Sequence, residues 1–276
     1  MLFFTKMQSL SNDFVLLDGV REPFQLEVNH IRRLANRHTG IGFDQLLVVE
    51  SGQEGTDFSM RVFNTDGSEA EQCGNGARCF AKFVRDEGLT NHDQILVYTG
   101  DRSIQLEIKD EWQVVVDMGE PVFEPMLIPF KAAEKSDTYE LEVEGENIEI
   151  FVVSFGNPHA VLLVDDITTA PLERLGPIIE QHPRFPKRTN VEFVCPVTRS
   201  RIQVRVWERG VGETLACGSG ASAAAVACHR LGQIDEEIEV ELPGGIAQVK
   251  WSGQGSLFLR GPATTVYKGQ IDLSEM

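Results

Sequence analysis

The chain has 276 residues, 42% hydrophobic and 24% charged, which is an ordinary globular composition and enough length for about two domains. Lys+Arg 25 against Asp+Glu 42 leaves a net charge of −17, which repels phosphate backbones and anionic membrane surfaces and argues against nucleic acid and membrane as partners. The N-terminal apolar run Met1–Phe4 stops at Thr5 and Lys6, short of a signal-peptide core, and nowhere do ~18 apolar residues run together, so a soluble cytoplasmic protein is expected.

Taken in order, Phe14–Asp18 follows the turn residues Ser11, Asn12 and Asp13 and reads as an early strand with Asn12 at its edge. Val28–Arg37 sets Val28, Ile31, Leu34 and Ala35 at helical spacing, as in a surface helix. The glycine-bearing loop Gly40–Gln45 feeds a strand at Leu46–Glu50, and a second strand at Phe58–Asn64 ends in the turn Thr65–Ser68. From Gly74 to Gly88, Ala77, Phe80, Ala81 and Val84 recur at helical spacing, which places Cys73 at a helix N-terminus. Alternation from Gln94 to Met118 predicts antiparallel strands. The prolines of Gly119–Pro129 interrupt sheet pairing and mark a crossing near residue 118 into a second domain.

The second half repeats this plan, with strands near 139–144, 147–153 and 160–164, a helix near 171–182, and strands near 191–197 and 201–207. Ala221–Cys228 is small and apolar on every face, the composition of a helix buried all round. Strands near 237–242, 246–250, 256–260 and 264–267 complete the list. The expected fold class is α+β: two pseudo-symmetric domains, each a mainly antiparallel, barrel-like sheet around a central helix.

The symmetry is written in the sequence. CGNGAR at Cys73–Arg78 returns as CGSGAS at Cys217–Ser222, and the offset, 217 − 73 = 144, also superimposes Arg61 on Arg205, Phe63 on Trp207, Glu69 on Glu213 and Gly88 on Gly232. A repeat of this length is far beyond a solenoid unit of ~20–50 residues, so each copy should be a domain.

A cysteine before Gly-x-Gly at a helix start faces unpaired backbone N–H groups and the positive end of the helix dipole. Both favour thiolate, and the thiol is expected to fall from ~8.5 into the range ~3.5–7.5. The amides of Gly74–Asn75 and Gly218–Ser219 can bind a carboxylate or an enolate-like oxyanion. A lone cysteine nucleophile needs an orienting histidine. Two equivalent thiols instead suit inversion at carbon, in which one group removes a proton from one face and the other returns one to the opposite face. Five cysteines, an odd number, with no Cys-x-x-Cys and no zinc spacing among the six histidines predict free thiols and neither disulfide framework nor metal. Cys79, Cys195 and Cys228 read as small apolar positions. On the residues alone, a redox protein cycling a Cys73–Cys217 disulfide and a non-enzymatic small-ligand binder both stay open.

Across essentially its whole length the chain resembles the diaminopimelate epimerase family. The stretches that carry the likeness include Ser11–Phe14, Gly40–Gln45, Phe63–Ser68, Gln72–Arg78, Gly156–His159, Glu208–Gly210, Ala216–Gly220 and Leu242–Gly245. The resemblance implies a cofactor-independent isomerase of lysine and peptidoglycan-precursor biosynthesis that converts LL-diaminopimelate to the meso form. It implies that Cys73 and Cys217 are the acid/base pair and that His159 and Glu208 tune their titration. Substrate would be held by Asn12, Gln45, Asn64, Gly74, Asn75, Asn157, Asn190, Glu208, Arg209, Gly218 and Ser219; amides suit a ligand of ammonium and carboxylate groups, and Arg209 can grip a carboxylate bidentately. It further implies a homodimer with a contact at Tyr267, and domains 1–117 (completed by 263–276) and 118–262. The family usually has glycine where Ser11 stands. A proline or hydroxyproline racemase-like enzyme is the nearest rival; Asn64, Asn157, Asn190 and Arg209 favour the longer substrate.

Overall fold

The computed structural model describes residues 1–22, 26–53, 55–70, 74–100 and 102–275, so Cys73 lies outside the described residues. The chain divides into two compact units, Met1–Asp117 with Arg260–Met276, and Met118–Leu259.

In the first unit the order is β1 (Leu2–Ser9), β2 (Asn12–Asp18), α1 (Val28–Ala35), β3 (Gln45–Ser51), β4 (Phe58–Asn64), α2 (Gly74–Asp86), β5 (Gln94–Tyr98), β6 (Ser103–Ile108) and β7 (Gln113–Gly119). The second follows with β8 (Tyr139–Val143), β9 (Glu146–Ser154), β10 (Pro158–Leu163), α3 (Leu172–Glu180), β11 (Asn190–Thr198), β12 (Arg201–Glu208), β13 (Gly212–Thr214), α4 (Gly218–Arg230), β14 (Glu237–Leu242), β15 (Gly245–Lys250) and β16 (Leu257–Pro262). The chain re-enters the first unit at Arg260, within β16, and continues as β17 (Thr264–Ile271).

Each unit runs through the same ladder. In the first, β17–β1 and β1–β2 are antiparallel, β2–β3 parallel, β3–β4 antiparallel, β4–β5 parallel, and β5–β6 antiparallel. In the second, β8–β9 and β9–β10 are antiparallel, β10–β11 parallel, β11–β12 antiparallel, β12–β14 parallel, and β14–β15 antiparallel. The sequence reading of a mainly antiparallel sheet around a helix holds, and the parallel pairs fall where α1, α2, α3 or α4 supplies the crossover that a parallel connection needs. Leu2–Ser9, to which the sequence reading assigned no element, is a full strand. Lys6 inside it is buried because its ammonium meets Asp13 at 2.5 Å and the Gly42 carbonyl, so the charge that ended the apolar run does not end the strand.

The helices α2 and α4 each run 13 residues from the first glycine of their repeat. α2 packs against β1, β2, β3, β6 and β17, and α4 against β9, β10, β11, β12, β14 and β15, so both sit inside their sheets. The Asn75–Val84 and Gly220–Cys228 stretches are buried on every face, as the alanine-rich second helix requires. The outer helices cover the other side: Ile31 and Leu34 of α1 pack with Val15, Leu17, Leu46 and Val48, and Leu172, Leu175 and Ile179 of α3 pack with Ala160, Leu162, Val191 and Phe193.

The repeat also explains two ion pairs. Arg61 Nε lies 2.9 Å from Glu69 in the first unit, and Arg205 Nε lies 2.8 Å from Glu213 in the second. Each ties a central strand to the segment that leads into the helix, across the backbone bridges Phe63–Glu69 and Trp207–Glu213. These are the charged positions that the offset superimposes.

Candidate active site

The second unit gathers most of the polar residues singled out from sequence. Cys217 is the N-cap of α4, and its Sγ accepts the Gly220 N–H at 3.4 Å. Ser219 Oγ is 3.6 Å from the same sulfur and accepts from Asn157 Nδ2 at 3.3 Å. Asn157 stands just before β10, and its Oδ1 faces His159 Nε2 at 3.1 Å. Asn190, at the start of β11 and paired in register with His159, uses its Oδ1 to accept the Arg209 N–H at 2.8 Å. Arg209 also donates from its guanidinium to the Lys187 carbonyl at 3.2 Å, and Glu208 accepts from Thr214 Oγ1 at 2.6 Å.

The Cys217 thiol is not lowered, as the helix start alone would have it, but pushed well above its ordinary range. Burial is the largest cause, and the Glu208 carboxylate adds to it; the Ser219 and Gly220 hydrogen bonds pull the other way and lose. At neutral pH Cys217 is therefore a thiol, the form that donates a proton. Glu208 bears on the thiol through its charge. His159 acts at the far end of a chain of hydrogen bonds rather than on the sulfur itself.

The first unit holds a matching cluster. Asn12 opens β2, Gln45 opens β3 and Asn64 closes β4, and Gln45 pairs in register with Asn64 and donates to its Oδ1 at 3.1 Å. Asn75, buried in the first turn of α2 beside Gly74, donates to Asn12 Oδ1 at 3.3 Å. Asn12 in turn donates to Asp44 at 2.7 Å, and Asp44 is held by Arg37 at 2.7 Å. Asn12 owes its position to the β1–β2 hairpin, whose two turn residues Leu10 and Ser11 have φ of 52° and 66°. Two left-handed residues in a two-residue loop match the twist of the strands, which is why glycine suits the Ser11 position. Tyr267 lies apart on β17, 45% exposed, with its ring edge-on to Phe4.

Three residues in these clusters escaped the sequence reading. Arg78 of α2 is fully buried and donates to Asn75 Oδ1 at 2.5 Å and Ser9 Oγ at 2.8 Å, fixing the asparagine. Glu180, at the end of α3, accepts from Trp207 Nε1 at 2.8 Å and the Gly210 N–H at 2.9 Å, and so holds the Glu208–Gly210 turn. Glu192 of β11 is fully buried with Oε1 2.7 Å from His159 Nδ1, and burial, opposed by His159, raises its carboxyl. A signal for Glu192 existed: it lies two residues after Asn190 on one strand, hence on the same face. Among the described residues Cys79, Cys195, Cys217 and Cys228 are free thiols, and no group of three His, Cys, Asp or Glu side chains is arranged to hold a metal.

The sequence profile described as diaminopimelate epimerase matches residues 4–124 and 151–266. The chain belongs to the diaminopimelate epimerase family. A diaminopimelate epimerase of Pseudomonas savastanoi pv. phaseolicola is 54% identical over 275 residues, covering 99% of this chain and 100% of that one. Two solved structures share the family's fold at low identity. A predicted epimerase from Pseudomonas aeruginosa has a TM-score of 0.72 at 14% identity, covering 98% of this chain and 99% of that one. A hydroxyproline epimerase from Agrobacterium vitis with bound trans-4-hydroxy-L-proline has a TM-score of 0.71 at 12% identity, covering 99% and 92%. Among the described residues no helix is long and apolar enough to cross a membrane.

Proposed function

We propose that this chain epimerises LL-diaminopimelate to meso-diaminopimelate, in lysine and peptidoglycan-precursor biosynthesis, by proton transfer between two thiols and one α-carbon. The observation that carries the reading is Cys217 capping α4, its sulfur on the Gly220 amide and within reach of Ser219, in a chain that repeats this helix start at Cys73. A thiol held protonated by burial is suited to deliver a proton, and its partner in the repeat supplies the base on the opposite face. When the reaction runs the other way the two exchange roles.

The remaining assignments follow the chemistry of the ligand. The carbanion formed at the α-carbon spreads into the adjacent carboxylate, and the helix starts of α2 and α4, with Asn75 and Ser219, stabilise that charge. Arg209, anchored through its backbone by Asn190, binds a distal carboxylate, and Glu208 with Asn64 binds ammonium. Asn12, Gln45 and Asn157 complete the polar lining. The stretches 1–117 with 263–276 and 118–262 act as two epimerase domains, each bringing one thiol. The reaction needs no cofactor, since both proton-transfer groups belong to the chain.

The protein is proposed to work in the cytoplasm as a homodimer through β17, on which Val266 and Tyr267 are 55% and 45% exposed. Sedimentation should give a dimer that Tyr267→Ala weakens. The function itself is tested by incubating purified protein with LL-diaminopimelate and resolving the isomers chromatographically. The meso isomer should accumulate to equilibrium, and L-proline should stay unracemised; the reverse outcome would favour the racemase reading.

A further inference from the structure

Five groups of the second unit stand in one unbroken line that ends at the sulfur. Glu192 Oε1 meets His159 Nδ1 at 2.7 Å, His159 Nε2 meets Asn157 Oδ1 at 3.1 Å, Asn157 Nδ2 meets Ser219 Oγ at 3.3 Å, and Ser219 Oγ meets Cys217 Sγ at 3.6 Å. Glu192 and His159 have no exposed surface, and Glu192 Oε2 has no hydrogen-bond partner among the described residues. Among the described residues, the ionisable groups that act on Glu192 are His159 and Glu208, and those that act on Cys217 are Glu208 and Glu192.

Such a line can be satisfied in two directions. With the Asn157 carbonyl toward His159, Nε2 must carry a proton. Nδ1 then either accepts from a protonated Glu192 or donates, as imidazolium, to a carboxylate. In both cases the pair holds one proton more than a carboxylate beside a neutral imidazole, and its net charge is zero. Asn157 donates to Ser219, which leaves the Ser219 hydroxyl free to donate to the sulfur and stabilise thiolate. A half-turn of the amide reverses everything: Asn157 donates to a bare Nε2, Nδ1–H donates to the Glu192 carboxylate, Ser219 donates to Asn157, and the Cys217 thiol donates to Ser219. The pair is then one proton poorer, and the sulfur keeps its own.

We propose that Glu192 is a positioning residue that, through a proton held jointly with His159, sets whether this line points toward or away from the Cys217 sulfur. While the pair holds that proton, the Ser219 hydroxyl is turned to the sulfur and opposes the burial that keeps Cys217 a thiol. Complete burial makes the neutral pair the favoured one, because an isolated buried carboxylate is costly. The proximity of Gly220 agrees: a Cβ there would lie 3.0 Å from Glu192 Oε1, so the helix start and the carboxyl are fitted to each other. The proposal rests on the epimerase reading of Cys217.

The test compares wild type with Glu192→Gln in the full-length protein. The glutamine amide can donate to Nδ1 as a protonated carboxyl does, but it cannot titrate. Expected are a kcat roughly tenfold lower with KM within about twofold, and a midpoint for Cys217 alkylation by iodoacetamide, mapped by mass spectrometry, that moves to lower pH. An unchanged kcat and an unchanged alkylation profile would overturn the proposal. Should the variant not fold, nitrogen-15 NMR of His159 in the wild type decides: a proton on Nε2 at pH 7 supports it, and a bare Nε2 with Nδ1–H at every pH refutes it. Failure of the wild type to epimerise diaminopimelate would sink the functional reading while leaving the His159 spectrum to report on the pair.

Discussion

Gly220 donates its backbone N–H to the Cys217 sulfur at 3.4 Å, and there is no room for a side chain behind it. A Cβ on Gly220 would meet Glu192 Oε1 at 3.0 Å, Val206 Cγ2 at 3.2 Å and the Cys217 Cβ at 3.3 Å. Gly220→Ala should therefore displace the helix start from the carboxyl, lowering kcat/KM by about 10–100-fold and stability by roughly 1–3 kcal/mol. Initial-rate assays beside urea melts check both; full activity would mean that the fit between α4 and Glu192 is not part of the machinery.

Ser11 presents the opposite case, a side chain where the backbone asks for none. Its φ of 66°, next to Leu10 at 52°, places a Cβ in the left-handed region at the tip of the hairpin that carries Asn12. Ser11→Gly should raise stability by about 1 kcal/mol with kcat unchanged. A lower melting temperature would show that the serine's own hydrogen bonds outweigh the strain.

Buried thiols also set the alkaline limit. Burial, with Cys195 adding to it, pushes Cys228 up to about 12. The folded state holds this proton more tightly than the unfolded chain, where a cysteine ionises near ~8.5. The contribution is complete below ~8.5 and is lost as pH rises toward the folded value, so stability should fall through that window. Cys228→Ala should lower stability at pH 7 by about 1 kcal/mol and make the alkaline decline shallower. Urea midpoints at half-unit steps from pH 7 to 11 test this; an equally steep decline in the variant would assign the loss to other groups.

The central helices were legible because glycine and alanine leave so few alternatives: a segment such as Ala221–Cys228, small on every face, can only be buried, and the repeat then fixes where its twin lies. In the polar cluster of the second unit only Cys217 was legible from the pattern, through its repeated helix start, whereas Asn190 and Glu208 were named by the resemblance to the family. What the pattern hides is compensation at a distance. Lys6 ends the apolar run in the sequence while its partner Asp13 stands across a hairpin, and nothing in the pattern singled out Arg78 and Glu192, because Asn75 and His159, which satisfy them, are brought in by folding. The raised Cys217 thiol was hidden too. The helix dipole can be read from one segment, whereas the burial that outweighs it comes from the sheet around α4.

The fate of the α-hydrogen tests the two-thiol transfer most directly. In heavy water, LL-diaminopimelate should yield meso product that carries deuterium at the inverted carbon before the remaining substrate is labelled, and meso substrate should behave alike in the reverse direction, because each face exchanges with its own thiol. Cys73→Ala and Cys217→Ala should each abolish inversion both ways, while Cys79→Ala stays active. Label entering substrate and product equally from the first turnovers, or near wild-type inversion by Cys217→Ala, would contradict a two-thiol transfer and point to a single base serving both faces.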